Sequence, residues 1–222
     1  MPHEHDHHHD HHQHGHDHHD HHHPHPHRPD QDDGLTDFQA MEIALRELLI
    51  EKGVLTAEEV RLAVEAMDAR SPAAGARVVA RAWTDADFRA RLLADGSAAC
   101  AELGIDMGPT KLVVVENTAE VHNMVVCTLC SCYPRFLLGL PPDWYKSRAY
   151  RSRAVREPRA VLEEFGTHIP ERTTVRVHDS TADMRYLVLP RRPDGTAGWD
   201  EARLAALVGR DAMIGVALPR QP

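Results

Sequence analysis

Three thiols stand within six positions at Cys127-Thr128-Leu129-Cys130-Ser131-Cys132, directly after a valine-rich run and directly before Tyr133-Pro134. Cysteines crowded like this cannot staple distant parts of a chain, so the four in the sequence form no spaced disulfide framework. The spacing suits a metal instead. If Cys130 and Cys132 bind one ion through sulfur, the deprotonated main-chain nitrogens of Ser131 and Cys132 fall between them and complete a planar chelate. The Cys132 sulfur and its own nitrogen close a five-membered ring, the two nitrogens close another, and the Ser131 nitrogen with the Cys130 sulfur closes a six-membered one. Cys127, a turn upstream, then reaches an axial position, and the sixth site stays open to water or substrate. Three thiolates and two amidates favour a trivalent low-spin cobalt or iron ion over tetrahedral zinc, which prefers four side chains. A zinc structural site would also want a second Cys or His pair. Beyond the N-terminal tail only His122, His168 and His178 remain, and none is paired at finger spacing. A dithiol redox centre is the other plain reading of Cys-x-x-Cys, and the third cysteine argues against it. Cys100, among Ala98, Ala99 and Leu103, reads as a small buried hydrophobe.

The N-terminus is a different material. Sixteen of the 19 histidines lie between His3 and His27, interleaved with Asp6, Asp10, Asp17 and Asp20. With almost no apolar side chain, residues 1–33 cannot bury enough surface to offset the entropy of ordering, and a disordered His-rich metal-binding tail is expected. Dense neutral imidazoles offer several equivalent chelates for cobalt, nickel, zinc or copper. This segment holds eight acids and one arginine, so of the net charge of −9 it carries −7, and the remainder has 26 acids against 24 bases. A nearly neutral body is no strongly basic nucleic-acid binder. Its apolar runs are too short to span a bilayer, and the start lacks the cationic and apolar stretches of a secretory signal. No nucleic acid and no membrane are expected as partners, and the cytoplasm is the expected compartment.

The body reads as helices first and strands later. Helix starts are predicted at Thr36 with Gln39, Thr56 with Glu59, and Thr84 with Asp87. Phe38, Met41, Leu45, Leu48 and Leu49 repeat at helical spacing up to Gly53, Ser71-Pro72 opens a short helix, and the pattern from Asp85 ends near Gly104. These slender, charged helices read as an arm that a partner covers, or as a small helical bundle. From Lys111 the chain turns β-branched. Strands are predicted at Leu112 to Val115, Val121 to Val126, Thr174 to His178, Arg185 to Leu189 and Met213 to Leu218, with helices around Asp143 to Tyr150, Arg159 to Phe165 and Asp200 to Val208. The fold class is α+β: a tail at 1–33, a helical N-terminal arm at 34–104, and a mixed α/β metal-binding catalytic domain at 105–222.

Three stretches together resemble one family. Val-Cys-Thr-Leu-Cys-Ser-Cys-Tyr-Pro, then Leu-Gly-Leu-Pro-Pro-Asp-Trp-Tyr-Lys at Leu138 to Lys146, then Tyr-Arg-Ser-Arg-Ala-Val-Arg-Glu-Pro-Arg at Tyr150 to Arg159, resemble the nitrile hydratase α subunit. The likeness runs from about Trp83 almost to the C-terminus and leaves the tail outside. The resemblance implies that Cys127, Cys130 and Cys132 ligate the metal with the main-chain nitrogens of Ser131 and Cys132, in agreement with the ring count. It implies Cys130 as cysteine sulfinic acid and Cys132 as cysteine sulfenic acid, two rungs of the thiol oxidation ladder. Thr128, where iron enzymes usually have Ser, resembles the cobalt type, so cobalt(III), one per chain, is expected ahead of iron(III). The chemistry implied is hydration of a small-molecule nitrile to its amide, a lyase reaction in which the ion acts as Lewis acid and the Cys132 sulfenate as nucleophile or base. Ser131 is ranked as a secondary catalytic residue that positions the loop.

The resemblance also implies partners: a β subunit supplying two arginines to the oxidised sulfurs, a cobalt-delivering activator protein, and assembly as a heterodimer or heterotetramer. Arg148, Arg151, Arg153, Arg156 and Arg159 form a cationic segment that braces the loop or pairs with a partner's carboxylates. Two positions depart from the family. Arg135 stands where many relatives have Trp, placing a cation in the substrate pocket, and Gly108-Pro109-Thr110 lacks a Gln that relatives often carry. A pocket that prefers anions points to the metal-binding subunit of thiocyanate hydrolase as the alternative. A metal store or delivery module built around the tail is the competing class.

Overall fold

A computed structural model describes residues 35–222, so the readings made for the histidine tail lie outside the described residues. The chain divides into two compact units, one ending at Val54 and one running from Leu55 to Pro222. The first unit contributes helix α1 (Asp37–Glu51), opened by a capping box in which Thr36 accepts from the Gln39 N–H and Gln39 reaches back to the Thr36 N–H. Its apolar stripe of Phe38, Met41, Leu45 and Leu48 is exposed.

The second unit opens with α2 (Ala57–Asp68), capped in the same way by Thr56 and Glu59, and none of its residues is buried. α3 (Ala73–Thr84) follows Pro72 and turns Ala76, Val78, Val79, Ala80 and Ala82 into the core. The predicted cap at Thr84 falls one residue on. The Thr84 hydroxyl donates back to the Ala80 carbonyl at the end of α3, and Asp85 accepts from the Phe88 N–H to start α4 (Ala86–Ala94). Asp95 caps α5 (Gly96–Glu102) in turn, so the pattern after Asp85 is two helices. Cys100 is fully buried on α5, and burial pushes its thiol up to about 12.

Two short parallel sheets frame the site. β1 (Lys111–Glu116) and β2 (Val121–Val126) are followed by one-turn helices α6 (Arg135–Leu138) and α7 (Asp143–Lys146). Then come α8 (Arg148–Arg156), α9 (Pro158–Glu164), β3 (Thr174–Asp179) and β4 (Met184–Leu189). β1 pairs with β4, Val113 opposite Tyr186, and β2 pairs with β3, Met124 opposite Val177. A parallel partner cannot be reached through a tight turn, so β2 and β3 are joined by the helical crossover α6 to α9. Five consecutive residues of β2, from His122, are buried, as befits a strand covered on both faces. The helix predicted from Asp143 breaks at Ser147, whose hydroxyl accepts from the Tyr150 N–H and so starts α8.

The chain closes with α10 (Glu201–Ala205) and α11 (Arg210–Ile214). The last predicted strand, Met213 to Leu218, is absent. Gly215 takes a left-handed conformation at φ +89 and ends α11, while the N–H groups of Gly215, Val216 and Ala217 all bond to the Asp211 carbonyl. The apolar residues that resembled a strand, Met213, Ile214 and Val216, are buried instead by a helix end packed on β4, α3 and β2. With helices on small parallel sheets, the fold is α+β, as expected from the sequence.

Candidate metal centre

β2 delivers Cys127 to the floor of the site, where it is 1% exposed, and the chain then leaves regular structure. The polar groups of this loop find partners on neighbouring elements. Asp179, at the end of β3, takes two bonds from Thr128: the N–H donates to Oδ1 at 2.9 Å and the hydroxyl to Oδ2 at 2.6 Å. Arg151 on α8 donates to the Thr128 carbonyl at 3.3 Å. The Cys130 N–H donates to Cys127 Sγ at 3.3 Å, and the Tyr145 hydroxyl on α7 donates to the Cys132 carbonyl at 2.8 Å.

The loop converges its three sulfurs. Cys127 Sγ lies 3.5 Å from Cys130 Sγ, which lies 3.2 Å from Cys132 Sγ, and all three atoms sit within 4.8 Å of one another. Cys130 is exposed and Cys132 half-buried, so the cluster has a buried side and an open side. Hydrogen bonding from Cys132, reinforced by Cys127 and the N–H groups of Ser131 and Cys132, pulls the Cys130 thiol below its ordinary value. Burial and the shared bond with Cys130 push the Cys132 thiol up to about 12. A cation bound here would take the three sulfurs as thiolates. The donor set fits a thiolate-held ion. The strand histidines are engaged elsewhere: His122 Nε2–H donates to the Gly215 carbonyl at 2.7 Å, and His178 Nε2–H donates to Asn123 Oδ1 at 2.8 Å.

The open side faces a pocket of about 310 Å³ lined by Cys130, Ser131, Cys132, Arg135, Phe136 and Arg185, among others. All the predicted site residues except the buried Cys127 thus meet on one cavity wall. Arg185, at the start of β4, also lines this pocket, and nothing in its strand-like sequence context marks it as a site residue. Its Nη1 is spent on the Thr181 and Ala182 carbonyls, which fixes the guanidinium at the pocket edge. The Arg70 guanidinium lies 4.1 Å over the Phe136 ring and holds that wall. Asp179 and Tyr145 carry no such mark either, because partners 51 and 13 residues away in sequence leave no local signature.

Of the five arginines in the cationic segment, Arg151 alone bonds to the loop. Arg153 pairs with Glu157 and Glu164, Arg159 donates to the carbonyls of Ile169, Pro170 and Thr173, and Arg156 donates to the Ser152 carbonyl.

The three thiols at the end of β2, one buried and two on the pocket, are placed so that they could hold one metal ion. Residues 36–217 match the family model for the nitrile hydratase alpha chain, and the chain belongs to this family. It is 54% identical over 176 residues to the cobalt-containing nitrile hydratase subunit alpha of Pseudonocardia thermophila, covering 78% of this chain and 86% of that protein. It is 43% identical over 198 residues to the thiocyanate hydrolase subunit gamma of Thiobacillus thioparus, covering 84% of this chain and 82% of that one. A solved double mutant of the Fe-type nitrile hydratase from Comamonas testosteroni Ni1 superposes with a TM-score of 0.77 at 46% identity, covering 84% of this chain and 94% of that chain. Among the described residues, no helix is long and apolar enough to cross a membrane.

Proposed function

We propose that this chain is the metal-bearing α subunit of a nitrile hydratase that adds water to a nitrile, RCN + H2O → RCONH2. In this reading one cobalt(III) per chain is held by Cys127, Cys130 and Cys132 with the main-chain nitrogens of Ser131 and Cys132. The observation that carries it is the sulfur cluster within 4.8 Å whose open side meets a cavity. The bound trivalent ion supplies Lewis acidity to polarise the nitrile or acidify water. Cobalt ahead of iron rests on Thr128 and on the name of the Pseudonocardia relative, with the Fe-type Comamonas protein as the counter-example.

The chain's own residues divide the remaining work. Cys132, oxidised to the sulfenic state with Cys130 at the sulfinic state, presents an oxygen to the pocket as nucleophile or as the base that takes a proton from water. Ser131 lines the same wall and orients the loop. Oxidised sulfurs are anionic and need donors, which a β subunit supplies as arginines, and a cobalt-delivering activator loads the site in the cytoplasm. A second reading, the metal-binding subunit of a thiocyanate hydrolase, is favoured by one observation: Arg135 and Arg185 put two guanidinium groups on the pocket.

The test is metal analysis and turnover by the chain copurified with its partner, with and without residues 1–33. One cobalt per chain that survives removal of the tail, with amide formed from a small nitrile, is the expected result. Thiocyanate turnover alone transfers the assignment to the second reading. Zinc or no metal with neither activity overturns both.

A further inference from the structure

We propose that Tyr145 is a positioning residue for the metal loop, acting through its hydroxyl on the Cys132 main chain. Between the end of β2 and the start of α6 no ladder ties the backbone, so the loop depends on side-chain anchors. Asp179 holds its first half at Thr128, and the bond from the Tyr145 hydroxyl to the Cys132 carbonyl, 2.8 Å, holds the second half. Tyr145 is fully buried. Pro141 and Pro142 precede the single turn of α7 that carries it. Its ring packs edge-on against Tyr133 at 5.1 Å and Trp144 at 5.9 Å and lies tilted against Tyr150 at 5.6 Å, which fixes the ring that carries the hydroxyl. Pinning the Cys132 carbonyl restrains rotation about the bond between its Cα and carbonyl carbon. That restraint preserves the side-chain placement in which Cys132 Sγ stands 3.2 Å from Cys130 Sγ. Loss of the anchor removes the one side-chain bond to the half-buried Cys132 carbonyl and leaves the sulfurs free to drift apart, and preorganised outer contacts of this type govern metal affinity.

The same cluster contains a matched control. Tyr150 is also buried, and its hydroxyl donates at 2.6 Å to the Val125 carbonyl, which lies in the hydrogen-bonded strand β2 and not in the loop. Tyr145→Phe and Tyr150→Phe each delete one buried phenolic hydroxyl from one aromatic cluster, so a merely structural role makes the two variants alike.

The proposal's consequence for the metal rests on the reading of the loop as a metal centre, so the experiment has a metal-free arm. In the full chain with its partner, stripped of metal, amide hydrogen exchange over residues 130–133 is expected to quicken in Tyr145→Phe and to stay at the wild-type rate in Tyr150→Phe. In the loaded complex, Tyr145→Phe is expected to lose its ion to a chelator about tenfold faster than wild type and to shift the thiolate-to-metal absorption band, with Tyr150→Phe unchanged in both. Equal exchange in the two variants overturns the positioning role. Faster exchange with an unchanged band and unchanged chelator loss overturns its bearing on the metal. If the wild-type complex holds no thiolate-bound ion, the metal reading fails while the exchange arm still decides whether Tyr145 positions the loop.

Discussion

Arg135→Gln separates attraction of an anion from general support of the pocket. Gln keeps most of the length and the polarity of the side chain and removes the charge. A pocket of about 310 Å³ treated as a sphere has a radius of about 4 Å, so an anion at its centre lies about 5 Å from a guanidinium on the wall. At that separation the attraction is about 1 kcal/mol at the permittivity of water and about 3 kcal/mol at an effective value of about 20. Arg135 is exposed, and among the described residues its guanidinium makes no hydrogen bond or ion pair, so the water-like end applies. About 1 kcal/mol is about fivefold in kcat/KM, or in the inhibition constant where thiocyanate is bound and not turned over. The assay is kcat/KM for a small neutral nitrile against kcat/KM or Ki for thiocyanate, at low and at high salt. The expected result is about a fivefold loss for the anion, shrinking as salt rises, with the nitrile value changed less than about twofold. Equal losses for both ligands, independent of salt, would refute the electrostatic role and make Arg135 a wall residue.

Asp179→Asn leaves one acceptor for the Thr128 N–H and replaces the charged oxygen that takes its hydroxyl, so metal loss to a chelator should quicken severalfold while the melting temperature moves little; an unchanged rate counts against the anchor. Gly215→Ala is expected to be severe. Gly215 has φ +89, and a Cβ there stands 2.0 Å from the Asn123 carbonyl oxygen, so a cost of about 3 kcal/mol and a melting temperature lower by about 6–12 °C are expected by calorimetry. Burial holds both His122 and His178 below the ordinary histidine value, so each is neutral in the fold and takes up a proton more readily when unfolded. The stability they contribute is whole above about pH 6.5 and is lost as pH falls through their folded values; the urea midpoint should drop between about pH 7.5 and 5.5, and His122→Gln should flatten that slope. A midpoint that holds or rises on acidification contradicts this assignment.

What the sequence alone determined was local. The paired caps at Thr36 with Gln39 and Thr56 with Glu59 form because each needs only residues three apart, and β2 forms because its β-branched run suits a strand in any packed frame. The chelating potential of Cys130-Ser131-Cys132 was legible for the same reason: ring closure is decided by covalent connectivity over two peptide units. The tertiary structure alone decided everything that joins distant positions. Met213 to Val216 could pack as strand or helix end by composition, and the left-handed Gly215 with its carbonyl on His122 chose the helix end. The parallel pairing of β1 with β4 brought Arg185 to the pocket beside Arg135, and the crossover from β2 to β3 set Tyr145 and Asp179 on the two halves of the cysteine loop. Covalent spacing states which atoms are able to chelate, whereas directional bonds from residues far along the chain settle where those atoms point, and such partners exist only once the core has closed.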